Sequence, residues 1–168
     1  MDLVLRNGPL VRIRPIMPDD KELLAAGFAL LSDESRQMRF LTAKPRLTKG
    51  DLRYLTEVDG HDHVALVAVE HEHPTHIAGV GRFVRDPGRP DTAEFAIVVG
   101  DPYQRQGLGR ALGQALSAEA RARDIHRFTA TVRSENEAVQ RLIASIGEHL
   151  EYVPQGDGTR EIVADLAA

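Results

Sequence analysis

The stretch Val98 to Leu116, VVGDPYQRQGLGRALGQAL, constrains this chain more than any other. An apolar run passes through a turn with two glycines separated by one residue and enters a helical pattern directly. Such a junction exposes the unpaired backbone N–H groups of a helix N-terminus, and glycine lets a phosphate reach them without side-chain obstruction. The same glycines also suit a tight turn needing positive φ at Gly107 or Gly109, and the local sequence leaves both readings open. Two familiar phosphate loops do not fit. A Walker loop needs Gly-Lys followed by Ser or Thr, and Gly109 is followed by Arg110 and Ala111; a dinucleotide fingerprint needs a third small residue where Leu112 stands.

The flanking sequence predicts a definite order of elements. Leu10 to Ile16 alternates apolar and basic residues as a half-exposed strand does. PDDKELLAAGFALLS then carries Leu23, Leu24, Phe28, Leu30 and Leu31 at helical spacing, and Thr48 to Asp59 reads as a second short helix, capped by Thr48 with Asp51 three residues on. His63 to Glu70, Ile77 to Arg85 and Thr92 to Val99 are β-rich runs split by the turn signals HPTH and PGRPD, which makes an antiparallel meander. A helix from Gly107 to Arg123, a strand from Arg127 to Arg133 and a helix from Glu135 to Ile146 follow. Ser134 is the expected N-cap of that last helix, and Gly147 suits its C-terminal end. Gly156 to Gly158 turns a final pair of strands. With 168 residues and no linker or repeat, one domain over residues 1–168 is expected.

Composition removes several classes of function. A formal charge of -4, aromatics at 5% and no basic stripe argue against nucleic acid. The lack of cysteine excludes disulfides, thiolate metal sites and cysteine nucleophiles. No apolar run approaches the ~18 residues of a membrane span, and MDLVLRNGPL lacks the order of a signal peptide, so no membrane partner and a cytoplasmic location are expected.

Gln104, Gly107 and Gly109 match the acetyl-CoA motif Q/R-x-x-G-x-G/A of the GCN5-related N-acetyltransferases (GNAT), and the order of strands and helices resembles that family over nearly the whole chain. The resemblance implies an α+β fold in αβα layers: a mixed, mostly antiparallel sheet of six to seven strands flanked by four helices. It implies that the N–H groups of Arg105, Gln106, Gly107, Leu108, Gly109 and Arg110 hold the CoA pyrophosphate, with the Arg110 side chain available for a charge-assisted contact. The strand before the loop would bulge at Ile97, Val98 and Val99 and pair its backbone with the pantetheine arm. Asn136 matches the family's asparagine near the pantetheine; locally it reads equally well as an early-helix polar residue. Within the family, VRIRPIMPDD, SDESRQMRFL and AEFAIVVGDPYQRQGLG are similar to bacterial protein-lysine acetyltransferases that regulate acyl-CoA synthetases. Such enzymes often carry a second, nucleotide-controlled domain, for which these residues leave no room.

The reaction so implied moves an acetyl group from acetyl-CoA to a primary amine, and an amine of pKa about 10.4 needs a base before it can attack. The protein acetyltransferases place their catalytic glutamate at the position of Glu94. In TAEFAIVV, Glu94, Ala96 and Val98 share one strand face while Phe95, Ile97 and Val99 share the other. Burial beside small residues would make Glu94 a better base than a free glutamate; a strand-end glutamate facing solvent is the alternative. A backbone N–H near Val98 or Val99 would stabilise the oxyanion. Many relatives protonate the departing thiolate with a tyrosine where this chain has Ile143, and Tyr103 and Tyr152 have no assigned role. The usual Gly-Phe after that helix is Gly147 and Glu148 here, which implies altered packing of the last strands.

Five histidines, His61, His63, His71, His73 and His76, fall in one hairpin region. His71 and His73 could share a strand face, but without cysteine or H-E-x-x-H spacing no metal site is expected, and solvated hairpin residues or an acceptor contribution are the readings kept. Arg36 and Arg39 either line the acceptor entrance or face solvent. The expected acceptor is a protein lysine, with a small-molecule amine as the alternative; a non-catalytic acyl-CoA sensor is the rival of a different class. A homodimer is left open.

Overall fold

The structure, a computed structural model, describes residues 1–41 and 44–167. In chain order its elements are β1 (Asp2–Val4), β2 (Leu10–Pro15), α1 (Lys21–Leu30), α2 (Asp33–Phe40), α3 (Lys49–Thr56), β3 (His63–Glu70), β4 (Ile77–Asp86), β5 (Arg89–Val99), α4 (Leu108–Arg121), β6 (Arg127–Arg133), α5 (Glu137–Ala144), β7 (Gly147–Pro154) and β8 (Thr159–Leu166). The strands form one sheet ordered β1-β2-β3-β4-β5-β6-β8-β7, antiparallel throughout except where β5 meets β6. This is the layered α+β architecture expected, with eight strands and five α-helices in place of six to seven and four.

The two faces of the sheet bury different helices. Leu108, Leu112 and Leu116 of α4 and Ile143 of α5 pack on Phe83, Phe95 and Phe128, whose rings stack 5.1 Å apart for Phe95 and Phe128. The opposite face packs Leu24 of α1 and Leu55 of α3 on Val67, Val69 and Val80. Each such side chain taken from water is worth roughly 1.5–3 kcal/mol, so the two layers hold the sheet from both sides. The antiparallel meander forms as expected, and Thr48 caps α3 in a full box: Asp51 N–H donates to Thr48 Oγ1 at 3.1 Å and Thr48 N–H to Asp51 Oδ2 at 2.7 Å.

Four local expectations need correction. A strand precedes the one expected first: β1 spans three residues, with Asp2 and Val4 exposed, too short to show a period. The helix read over Pro18 to Ser32 is a 3-10 turn (Pro18–Asp20) followed by α1, and a further helix, α2, which buries no side chain, starts after its N-cap Ser32 where none was read. The N-cap of α5 is Asn136, whose Oδ1 accepts from Val139 N–H at 3.2 Å; Ser134 donates its N–H to Gly158 O at 2.9 Å and is held by the β7–β8 turn instead. Gly147 opens β7 and does not close α5. A Cβ there would stand 2.8 Å from Ala164 Cβ and 3.0 Å from Asp165 O, so glycine is demanded by strand proximity.

Candidate active site

The decisive geometry is a break inside the sheet. β5 stays in register with β4 from Arg85/Ala93 to Gly79/Val99, so no bulge forms at Ile97, Val98 and Val99 as expected; the one irregularity lies at Arg85/Asp86. Instead β5 separates from β6, which it pairs only at Thr92 to Glu94, while β6 continues along β8 to Arg133. Gly100 N–H donates to Ala78 O at 2.8 Å. By the alternation of an antiparallel ladder, Val98 and Ala96 therefore turn their backbone groups to β4, and Ile97 and Val99 turn theirs into the gap. Val99, and not Val98, thus turns its N–H into the gap.

The gap leads into the loop. Asp101–Tyr103 form a 3-10 turn, Arg105 has φ 58 and Gly107 has φ 93 as the N-cap of α4. Among the described residues, the N–H groups of Arg105 to Arg110 make no hydrogen bond to a protein acceptor. Gly107 therefore satisfies both readings of the glycine turn, since it needs positive φ and also opens a helix end without a side-chain cap. Gly109 is helical; a Cβ there would touch Val99 Cγ2 at 3.7 Å and Leu142 Cδ2 at 3.8 Å, so the end of β5, the start of α4 and α5 converge on it.

Side chains around the loop divide by task. Gln104 Nε2 donates to Val99 O at 3.1 Å and to Ser35 Oγ at 3.2 Å, tying the loop to the end of β5. Gln106 turns inward, with Nε2 on Pro102 O at 2.8 Å and its Oε1 buried without a protein partner. Leu108 is buried in the core and can contribute only its backbone, whereas Arg105 and Arg110 are exposed. Asp101 accepts from Ser32 N–H at 3.0 Å, Ser32 Oγ at 2.8 Å and Ser35 Oγ at 2.9 Å, so the start of α2 is bolted to the loop. The stretches that hold Ser32, Ser35 and Asp101 stood out in the sequence, but their contact did not, because the partners lie more than sixty residues apart in the chain. Asn136 spends its Oδ1 on the α5 cap, and Ile143 is buried.

On the opposite face of β5, Val98 lines a cavity of about 50 Å³ with Phe28, Arg39, Leu55, Val80 and Arg82. Arg82 is only 5% exposed; it donates to Leu55 O at 3.1 Å and to His63 Nε2 at 3.0 Å. Burial, helped by Arg39, pushes its guanidinium down to about 9, still protonated at neutral pH. Burial also lowers Arg39, which the Glu94 carboxylate opposes. Glu94 is exposed, not buried as a strengthened base would require, at the point where β5 leaves β6. Arg82 pairs with Ala96 in the register, which sets Arg82 and Glu94 as diagonal neighbours on one face. An arginine in the apolar run IAGVGRFV was the unread signal for this basic pocket. Arg36 does not line an entrance: its guanidinium donates to Phe28 O and Ala29 O and stacks 4.9 Å from the Phe28 ring.

No helix among the described residues is long and apolar enough to cross a membrane. Residues 27–147 match the model of the Acetyltransferase (GNAT) family. The chain is 35% identical over 143 residues to the acetyltransferase Pat of Mycolicibacterium smegmatis, covering 85% of this chain and 42% of that protein, so it spans well under half the length of that relative. Among solved structures it resembles the GNAT domain of S. lividans PAT at 32% identity and TM-score 0.87, over 99% of this chain and 96% of that one. It shares the fold of yncA from Salmonella typhimurium, solved with its cofactor acetyl-CoA, at 22% identity and TM-score 0.72, over 94% of each chain. Together with the strand break and the uncapped helix end, these likenesses settle the assignment: the chain belongs to the GNAT acetyltransferase family.

Proposed function

We propose that residues 1–168 act as one unit that moves an acetyl group from acetyl-CoA to a primary amine, in the cytoplasm, with a protein lysine as acceptor. The observation that carries this reading is the strand edge of Ile97 and Val99, which opens into the bare N-terminus of α4. An extended chain of amides such as the pantetheine arm pairs with such an edge, and a diphosphate fits the N–H groups of Arg105 to Arg110. Gln104 holds the loop at the right distance, and Arg110 is free to reach a phosphate oxygen. The amide nitrogen of Asn136, left over from its cap, is available to the same ligand.

In the proposed reaction Glu94 takes a proton from the acceptor amine, the nitrogen attacks the thioester carbonyl, Val99 N–H steadies the oxyanion, and the C–S bond breaks to release the CoA thiolate. Water protonates that thiolate, since Ile143 offers no hydroxyl. The exposure of Glu94 favours an acceptor brought on the surface of a macromolecule. The adjoining cavity, at about 50 Å³, falls well short of the roughly 300 Å³ at which pockets for small ligands begin.

The test is release of free CoA from acetyl-CoA across a panel of protein and small amines. Glu94→Gln is expected to lower kcat by roughly 10²- to 10⁴-fold while leaving acetyl-CoA affinity in place, and to lose the rising limb of the pH–rate profile. Turnover only with small amines moves the acceptor class. A flat panel with intact acetyl-CoA binding points to a sensor that binds without turnover.

A further inference from the structure

We propose that Glu70, His73 and His76, brought together by the β3–β4 turn, form a binding site for a divalent transition-metal cation of the zinc class, with Tyr103 of the cofactor loop orienting its carboxylate. One donor atom from each of the three residues lies within 4.8 Å of the others. The histidines that meet are His73 and His76, not the pair His71 and His73 that strand alternation suggested, because HPTH is a turn. Pro74 sets its second position, and His76 N–H closes it on His73 O at 2.8 Å, which puts the two imidazoles at its ends. Glu70 N–H then donates to His76 O at 3.0 Å and fixes the carboxylate opposite both rings.

The side chains already converge. Nδ1 of His73 lies 2.8 Å from Glu70 Oε1, Nδ1 of His76 lies 3.6 Å from Glu70 Oε2, and the rings stack 5.3 Å apart. Two imidazole nitrogens and one carboxylate oxygen are the donors of a three-ligand zinc site with an open fourth position. Donors at 2.0–2.1 Å in a tetrahedron are about 3.3 Å apart, so the widest separation must close by about 1.5 Å. The two imidazoles, 58% and 51% exposed, have the rotamer freedom to do so, while Glu70 at 12% is the fixed member.

Tyr103 supplies the outer support. Its hydroxyl donates to Glu70 Oε2 at 2.8 Å, as groups behind a metal-binding carboxylate do, and it belongs to the turn immediately before Gln104. An ion held here ties the β3–β4 turn to the loop that leads into α4. Nothing in acetyl transfer requires this cluster.

The experiment is titration of the chelator-treated chain with Zn²⁺ by calorimetry, paired with thermal melts. One equivalent is expected to bind, and Zn²⁺ at about 100 times its dissociation constant is expected to raise Tm by roughly 5–10 °C. The doubly substituted His73→Ala/His76→Ala chain should lose the stoichiometric site and the Tm rise, whereas His149→Ala should keep both. Equal metal-free Tm values for parent and double variant check that the fold is intact. Tyr103→Phe should weaken Zn²⁺ by roughly 10- to 100-fold, and an unchanged constant there overturns its positioning role. Failure of the parent to bind, parent-like binding by the double variant, or a purely octahedral, water-like Co²⁺ spectrum overturns the site.

Discussion

His63 accepts from Arg82, and this one contact predicts how stability depends on pH. With Arg82 Nη1 at 3.0 Å from Nε2, a proton on that nitrogen would set two cations face to face. Burial first, and the Arg82 charge second, drive the imidazole from 6.5 down to about 4. Above pH 6.5 the imidazole is neutral whether the chain is folded or not, and the group costs nothing. Between 6.5 and about 4 the unfolded chain takes up a proton that the folded chain refuses, so stability falls with falling pH by up to about 1.36 kcal/mol per pH unit. The whole window is worth roughly 3 kcal/mol, or roughly 2 kcal/mol once the solvent reaching a half-buried ring is allowed for. In a chain of this size that lowers Tm by roughly 4–8 °C. His63→Gln keeps an acceptor for Arg82 but cannot charge, so its Tm should stay level across the window until carboxylates begin to protonate. Melts of both chains at half-unit steps from pH 7 to 4, with the His63 ring followed by NMR, decide the matter. A ring titrating near 6.5, or a variant with the parental slope, refutes the buried pairing.

Substitutions at two further positions probe the site and the fold. Gly107→Ala should cost about 1–2 kcal/mol, because φ 93 is left-handed, while its Cβ would meet nothing within 4 Å. Gly107→Asn should recover part of that stability yet, like the alanine variant, bind acetyl-CoA more weakly by calorimetry; full affinity in either variant would contradict the phosphate cradle. Asp20→Asn removes the carboxylate that Arg14 grips with two hydrogen bonds of 2.7 and 2.8 Å, at an expected cost of roughly 2–3 kcal/mol. Arg14 holds the Asp20 carboxyl below its ordinary value, so this contribution is present above about pH 4 and is lost as pH falls through the lower folded value; denaturation at pH 3 should therefore show a smaller gap between parent and variant than at pH 7.

What could be read from sequence followed from local chemistry. The β-rich runs of the meander, the Thr48 box and the Gly156–Gly158 turn are decided by neighbours within a few residues, and each stands where the pattern puts it. The left-handed turn at Gly107 was legible for the same reason, whereas Gln104 and Gly109 were picked out by resemblance to a family motif. What escaped was decided by distant partners. Helix α2 is mostly polar and is fastened by Asp101, sixty-nine residues from Ser32. Asn136 displaces Ser134 as a cap because a turn in a different hairpin captures Ser134. Arg82 is a basic residue among apolar neighbours, and only the packing of Leu55, His63 and Arg39 around it gives it a place.

The expected bulge and the observed separation differ in what they leave exposed. A bulge would disturb β5 against β4 and free one or two groups at a kink. Separation keeps that ladder whole from Ala93 to Val99 and frees a straight edge on the other side. The difference matters because a buried backbone group without a partner costs roughly 1–3 kcal/mol, so an edge inside a sheet persists only where water or a ligand can reach it. The chain satisfies one of these groups with a side chain of its own, Gln104 Nε2 on Val99 O, and leaves Val99 N–H and the groups of Ile97 open. In the proposed reaction this division has a purpose: the carbonyl that would repel an oxyanion is occupied, and the N–H that would stabilise one is not. Gln104 then matters twice, as the anchor of the phosphate loop and as the group that sets the polarity of the strand edge.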